Sequence, residues 1–322
     1  MKDTVSTMIK GMAMGTAEVI PGVSGGTIAF ITGIYEKLLN TIKAFSPKLI
    51  PVFKEEGIKG VWSAVNGLFL TKLLGGMVFG VVFGVFAISY LLENYPPAVW
   101  AFFFGLIIAS AIYIGRQITH WGPGEVALMI LGAIIAYGIT TIAPASGSES
   151  LVFVFFSGAI AISALILPGI SGSFILLIMG MYSYIITDTL KPALKTFAID
   201  KLLIMFVFAL GCLTGLMTVS RLLSWTFKHF RNLTLATLTG FMLGSLNKIW
   251  PWRNAIDWLR DKTGTIVLKD DGITPKKILV EENVWPSNYT GGDTLIMAVV
   301  ILMIVGFISV FLLERLGSKK DH

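Results

Sequence analysis

Hydrophobic positions along this chain fall into long runs separated by short polar connections, and two of the runs are broken by the same turn chemistry. The first, over 4–39, is interrupted by Pro21-Gly22-Val23-Ser24-Gly25-Gly26-Thr27. The second, over 151–187, is interrupted by Pro168-Gly169-Ile170-Ser171-Gly172-Ser173. Proline and glycine stop a helix, and the pieces on either side fall short of the roughly 20 residues that cross a hydrocarbon core. Each run therefore predicts a re-entrant helical pair, because such a break is tolerated only inside protein or at a wet cavity. Unbroken runs predict six spanning helices, at about 72–92, 98–115, 125–143, 202–225, 233–250 and 293–313. The Lys- and Pro-containing stretch 40–68 predicts an interfacial connection with a short amphipathic helix. Residues 251–292 predict an excursion from the membrane, with Asp270-Asp271-Gly272 as a hairpin turn. Lys10 interrupts the first apolar stretch, which for that reason does not read as a cleavable signal peptide.

The two broken segments are copies. At an offset of 147, Pro, Gly, Ser and Gly coincide, and so do Gly33 with Gly180 and Tyr35 with Tyr182. Beyond the breaks the correspondence continues at an offset of 135, pairing Gly76 with Gly211, Gly80 with Gly215, Gly105 with Gly240 and Ser110 with Ser245. The reading is a tandem duplication, repeat 1 over 1–147 and repeat 2 over 148–322. Three spans per repeat is an odd number, so the copies are expected to insert with opposite orientation. With the N-terminus inside, the Lys-rich 37–72 stretch, Arg116, the Arg221/Lys228/Arg231 cluster and Arg315/Lys319/Lys320 are cytoplasmic. The 93–97 and 144–150 loops, which lack Lys and Arg, then lie outside; Lys191, Lys195 and Lys201 lie outside against the rule. Both termini are expected in the cytoplasm.

Composition agrees with the pattern. The 322 residues are 55% hydrophobic and only 14% charged, where a soluble domain carries about 25% charged residues, and the mean hydropathy is +0.79. The fold class is an all-α polytopic membrane protein. The net charge of +6 is read as the basic bias of cytoplasmic loops, since no basic patch with interleaved aromatics suggests nucleic acid. The single Cys212 allows no intrachain disulfide, and His120, His229 and His322 lack metal-ligand spacing. No metal or other cofactor is expected.

Inverted repeats with discontinuous helices are an arrangement that secondary transporters use to build a midplane site. Helices expected to start at Thr27 and Phe174 would present unpaired N–H groups and the positive end of the helix dipole inside the protein. Gly22, Gly25, Gly26, Gly169 and Gly172 let backbone approach a ligand, and Ser24, Thr27, Ser171 and Ser173 add hydroxyls. The chemistry suits an anion, with phosphate a natural fit. Glu18, an acid at membrane depth, is the candidate proton acceptor or hydrogen-bonding partner, and Leu165 takes its place in the second copy. Lys72, Arg116 and Arg221 lie near span ends, where they either attract an anionic head group or simply flank the membrane. Gly22-Val23-Ser24-Gly25-Gly26 formally matches the G-x-S-x-G nucleophile elbow, but neither a strand–turn–helix context nor a histidine at that depth accompanies it. Catalysis is therefore not expected.

The segments Glu18–Glu36 and Leu167–Ser173 carry a resemblance over nearly the whole chain. The sequence resembles the bacterial PopT-type polyprenyl-phosphate transporters, long known as a domain of unknown function. That resemblance implies a flippase that returns undecaprenyl phosphate from the outer to the inner leaflet of the cytoplasmic membrane for reuse in cell-wall synthesis. It implies a phosphate site at Pro21 to Thr27 and Pro168 to Ser173, and a lipid-borne cargo. A transporter of a small soluble anion or organic acid with the same architecture is the second reading, and a scaffold of the cell-wall machinery a third. Proton coupling through Glu18 and the oligomeric state are left open.

Overall fold

The computed structural model describes residues 2–20, 23–142, 144–145, 147–190, 198–258, 265–266, 268 and 278–318. The first broken run forms α1 (Lys2–Glu18), α2 (Gly25–Ile31) and α3 (Tyr35–Ala44). After it come α4 (Leu49–Ala64), α5 (Gly67–Asn94), α6 (Pro96–Gly115) and α7 (Pro123–Thr141). The second broken run forms α8 (Leu151–Ile166), α9 (Gly172–Ile178) and α10 (Tyr182–Ile185), which continues into a π-type turn over Ile186–Leu190. Then follow α11 (Ile199–His229), α12 (Arg231–Ser245), strands β1 (Arg253–Trp258) and β2 (Ile278–Asn283), and α13 (Ile296–Ser318). The starts of α2 and α9, and of α3 and α10, differ by the same 147 residues as the sequence motif.

Local chemistry explains several boundaries. Ser150 accepts the Phe153 N–H at 3.3 Å at the start of α8. Proline occupies the first turn of α6 and of α7, where no N–H is needed, and Glu125 reaches back to the Gly122 N–H at 3.0 Å. Helices α5 and α11 run to 28 and 31 residues, longer than their apolar cores. Lys72 and Lys201 are good helix formers that continue the helix past the end of hydrophobicity. The expected span 233–250 ends as an α-helix at Ser245 and tightens into a single 3-10 turn, Leu246–Ile249. The connection 40–68 does contain a helix, α4, kinked at Gly57, whose backbone is non-helical at φ 66°.

The chain is a mostly helical, multi-pass membrane protein. Helices α5, α6, α7 and α11 are each long and apolar enough to cross a bilayer. Large apolar side chains such as Val78, Phe79 and Phe86 on α5, Phe206 on α11 and Ile301 on α13 are exposed. A belt of that kind suits lipid and is a liability in water. Helices α6 and α12 instead sit inside, burying Leu106, Ile107 and Ile114 on one and Leu235, Leu238 and Met242 on the other.

Helix pairs meet along glycine seams. A side chain at Gly76 of α5 would run into the Met8 carbonyl of α1, and one at Gly211 of α11 into the Phe155 carbonyl of α8. Met8 and Phe155 are themselves 147 apart, so corresponding residues make corresponding contacts. The remaining pairs join helices far apart in the sequence: Gly105 of α6 lies against Met303 of α13, and Gly240 of α12 against Met129 of α7. Helix α13 thus packs on α6, and α7 on α12.

One part is not helical. Strands β1 and β2 pair antiparallel, with Arg253 opposite Asn283 and Ala255 opposite Glu281. The mostly helical architecture agrees with the all-α expectation, and this hairpin, in the stretch expected to leave the membrane, is a small addition to it. The expected turn at Asp270-Asp271-Gly272, like Lys191 and Lys195, lies outside the described residues.

Candidate functional site

The two breaks lie against each other in the interior. Ser24 and Thr27 are wholly inaccessible and Ser171 is 1% exposed. Among the described residues, three hydrogen bonds cross between the two broken segments. Ser24 Oγ donates to the Leu165 carbonyl at 2.9 Å, and the Tyr35 hydroxyl donates to the Ile166 carbonyl at 3.2 Å. The Gly169 N–H donates to Thr27 Oγ1 at 3.1 Å. Gly26 makes this approach possible: a Cβ there would sit 2.9 Å from the Ile166 carbonyl carbon and 3.0 Å from the Leu165 oxygen. Gly169 has φ 86° and is backed by Met242, so it serves both as a left-handed turn and as a close contact. Pro21 and Gly22 lie outside the described residues; Pro168 is in place between α8 and α9.

The N-terminus of α2 differs from the sequence expectation. The helix begins at Gly25, two residues early, and its first N–H groups are already engaged. Glu18 Oε1 accepts the Gly25 N–H at 2.6 Å, and Ser24 Oγ accepts the Gly26 N–H at 3.0 Å. The Glu18 carboxylate, on the last residue of α1, lies on the positive end of α2 and supports the earlier start. Lys10, eight residues earlier on α1, donates to the Thr32 carbonyl at 2.7 Å, at the other end of α2. Antiparallel α1 therefore gives each end of α2 the sign of charge it favours.

The second copy has neither charge. Leu165 stands at the Glu18 position and Ser157 at the Lys10 position. Ser171 makes no capping bond, and its hydroxyl is 3.0 Å from that of Ser173. Helix α9 begins at Gly172 with no side-chain cap.

A cavity of about 490 Å³ opens beside α9, lined among others by Thr140, Phe174, Asn247, Lys248, Arg253 and Glu281. A much smaller cleft, also lined by Lys248, lies against Gly169, Ile170 and Ser171. The hairpin brings the charges together. Glu281 is 2.8 Å from Arg253 and 3.6 Å from Lys248, with the Arg253 side chain 5% exposed. The Arg253 guanidinium lies 4.1 Å from the Trp100 ring centroid, and the Lys248 ammonium 4.7 Å from that of Phe174. Burial lowers the Arg253 pKa from its ordinary value, and the Glu281 carboxylate works against that shift. Trp250 and Trp252 pin the hairpin base by donating to the Val284 and Thr294 carbonyls.

Arg116 and Arg221 have other partners. Arg116 is exposed and lies 5.4 Å from the Phe311 ring centroid, while Arg221 reaches the Phe45 carbonyl at 3.4 Å. Sequence reasoning missed Lys248, Arg253 and Glu281. The Lys248-Ile-Trp-Pro-Trp-Arg253 run, two cations among aromatics at the end of an apolar segment, was the available signal.

Residues 14–267 match the family described as undecaprenyl phosphate translocase-like. The chain belongs to this family. A polyprenyl-phosphate transporter of Vibrio cholerae is 43% identical over 318 residues, which cover 98% of this chain and 97% of the relative. A polyprenyl-phosphate transporter of Staphylococcus aureus is 32% identical over 257 residues, covering 76% of this chain and 85% of the relative. No solved structure matches. The part matched by the translocase-like family contains both breaks, Lys248 and Arg253, while Lys10 and Glu281 fall outside it.

Proposed function

We propose that this family member carries a polyprenyl phosphate, undecaprenyl phosphate in bacteria, from the outer to the inner leaflet of the cytoplasmic membrane for reuse in cell-wall synthesis. Two near full-length relatives carry the name polyprenyl-phosphate transporter. The observation that carries the mechanism is the interlocking of the two breaks inside the helical bundle. Hydroxyls and a backbone N–H that bond across the two copies can exchange those bonds for the oxygens of a phosphate. The halves 1–147 and 148–322, inserted with opposite orientation, would open that site to either side in turn. The polyprenyl tail stays in lipid, along the exposed apolar belt.

The reading is of a transporter, not an enzyme. In the G-x-S-x-G-like segment, the Ser24 hydroxyl bonds the Leu165 carbonyl and the Gly26 N–H and is wholly buried, which supports the transport reading over a nucleophile elbow.

Leaflet exchange of undecaprenyl phosphate in vesicles containing the purified protein tests this. Ser171→Ala combined with Ser173→Ala is the informative variant, because these two hydroxyls bond each other and their loss orphans no partner. Exchange in the wild type that is lost in the folded variant supports cargo and site together. Exchange that persists in the variant removes the serines from the site, and absence of exchange with uptake of a soluble anion overturns the lipid cargo.

A further inference from the structure

Resting on the transport reading above, we propose that the cavity beneath the β-hairpin is a docking site for a phosphate monoester. There Lys248 and Arg253 receive the head group before it reaches the broken helices. The cavity's volume of about 490 Å³ lies in the range of small-ligand sites, roughly 300–1,000 Å³. Its inner wall holds two cations and one carboxylate, Glu281, with Glu282 at the exposed rim.

The hydrogen bonding is incomplete in a way that calls for an acceptor-rich anion. Among the described residues, Arg253 Nε is buried with no hydrogen-bond partner. The Arg253 Nη1 is already taken by Glu281 and by the Lys248 carbonyl, both at 2.8 Å. The Lys248 ammonium stands 3.6 Å from Glu281, an ion pair beyond good hydrogen-bond range. A phosphate brings three acceptor oxygens, which suit a guanidinium edge and an ammonium at once. Glu281 then acts as a resident anion that holds the cations in place and yields one of them to the incoming group.

Position gives the site its direction of use. Lys248 lines both this cavity and the cleft at Gly169, Ile170 and Ser171. One flexible side chain can therefore follow the phosphate from the hairpin toward the uncapped start of α9. The first copy offers no counterpart, since α2 already holds the Glu18 carboxylate.

Titration calorimetry on the full chain in lipid nanodiscs tests the site, with inorganic phosphate and a water-soluble short-chain prenyl monophosphate as probes. Lys248→Gln is expected to weaken binding by roughly ten- to a hundredfold, and Lys248→Arg to restore most of it. Glu281→Gln is expected to tighten binding, a sign that a merely structural ion pair would not produce. Unchanged affinity in folded Lys248→Gln and Glu281→Gln overturns the proposal. Equal response to both probes supports a site that reads the phosphate alone, and a response to the prenyl compound only supports a lipid head group. Vesicle exchange separates the two levels. Exchange that is indifferent to both variants overturns the docking site and leaves the transport reading standing. Absence of wild-type exchange overturns the transport reading, while the binding data still decide the cavity.

Discussion

Replacing Thr27 with valine tests whether the two halves are held together by the bond between Thr27 and Gly169. Valine keeps the shape of threonine and removes only the hydroxyl, so the Gly169 N–H, now 3.1 Å from Thr27 Oγ1, loses its acceptor. The peptide cannot easily turn elsewhere, because Gly169 is at φ 86° and rests on the Met242 backbone. Orphaning a buried donor costs about 1–3 kcal/mol. Side-chain hydrogen bonds between membrane helices average about 0.6 and reach about 1.7 kcal/mol. A confined, wholly buried pair belongs toward the upper part of that second range, so Thr27→Val is expected to cost about 1–2 kcal/mol. Thr27→Ser keeps the acceptor and loses one methyl, about 0.8 kcal/mol. If packing alone mattered, valine would equal threonine and exceed serine; the hydrogen bond instead ranks threonine first, serine second and valine last. Unfolding by SDS, followed by tryptophan fluorescence, gives the order. A valine variant as stable as the wild type, or more stable than the serine variant, would refute the reasoning.

Other substitutions probe the remaining features. Glu18→Leu copies the residue of the second half and uncaps the Gly25 N–H; thermal unfolding should show a loss of about 1–3 kcal/mol, with Glu18→Gln losing less because an amide oxygen still accepts. Gly169→Ala places a Cβ 2.9 Å from the Met242 backbone at a left-handed φ, and it should cost at least about 2 kcal/mol and reduce the folded yield. Glu36→Gln removes a 2.6 Å pair with Arg231 whose side chains are half exposed, so thermal unfolding should show a loss of less than about 1 kcal/mol that shrinks as salt is raised.

Much of the architecture was legible in the chain because it is decided locally. Runs of apolar residues announced the helices, and Pro-Gly-x-Ser-Gly announced both breaks, since proline and glycine disfavour a continuing helix wherever they stand. The recurrence of Gly76 and Gly80 at Gly211 and Gly215 announced the seams, because only glycine lets two helix backbones touch. What the local pattern does not contain is partnership. The sequence marks Ser24, Thr27 and Glu18 as polar groups at a break, yet their partners, Leu165, Gly169 and the start of α2, follow from how the helices lie against one another. The pairing of α7 with α12 and of α13 with α6 is likewise invisible to hydropathy, which is blind to which helix an apolar face meets. Lys248 and Arg253 read as ordinary flanking charges until the hairpin carries Glu281 to them and α9 sets Phe174 beneath the ammonium. Apolar periodicity and helix breakers act within a few residues and so are written along the chain; a charged cavity assembled from α7, α9 and a hairpin exists only once packing has brought distant segments within a few ångströms.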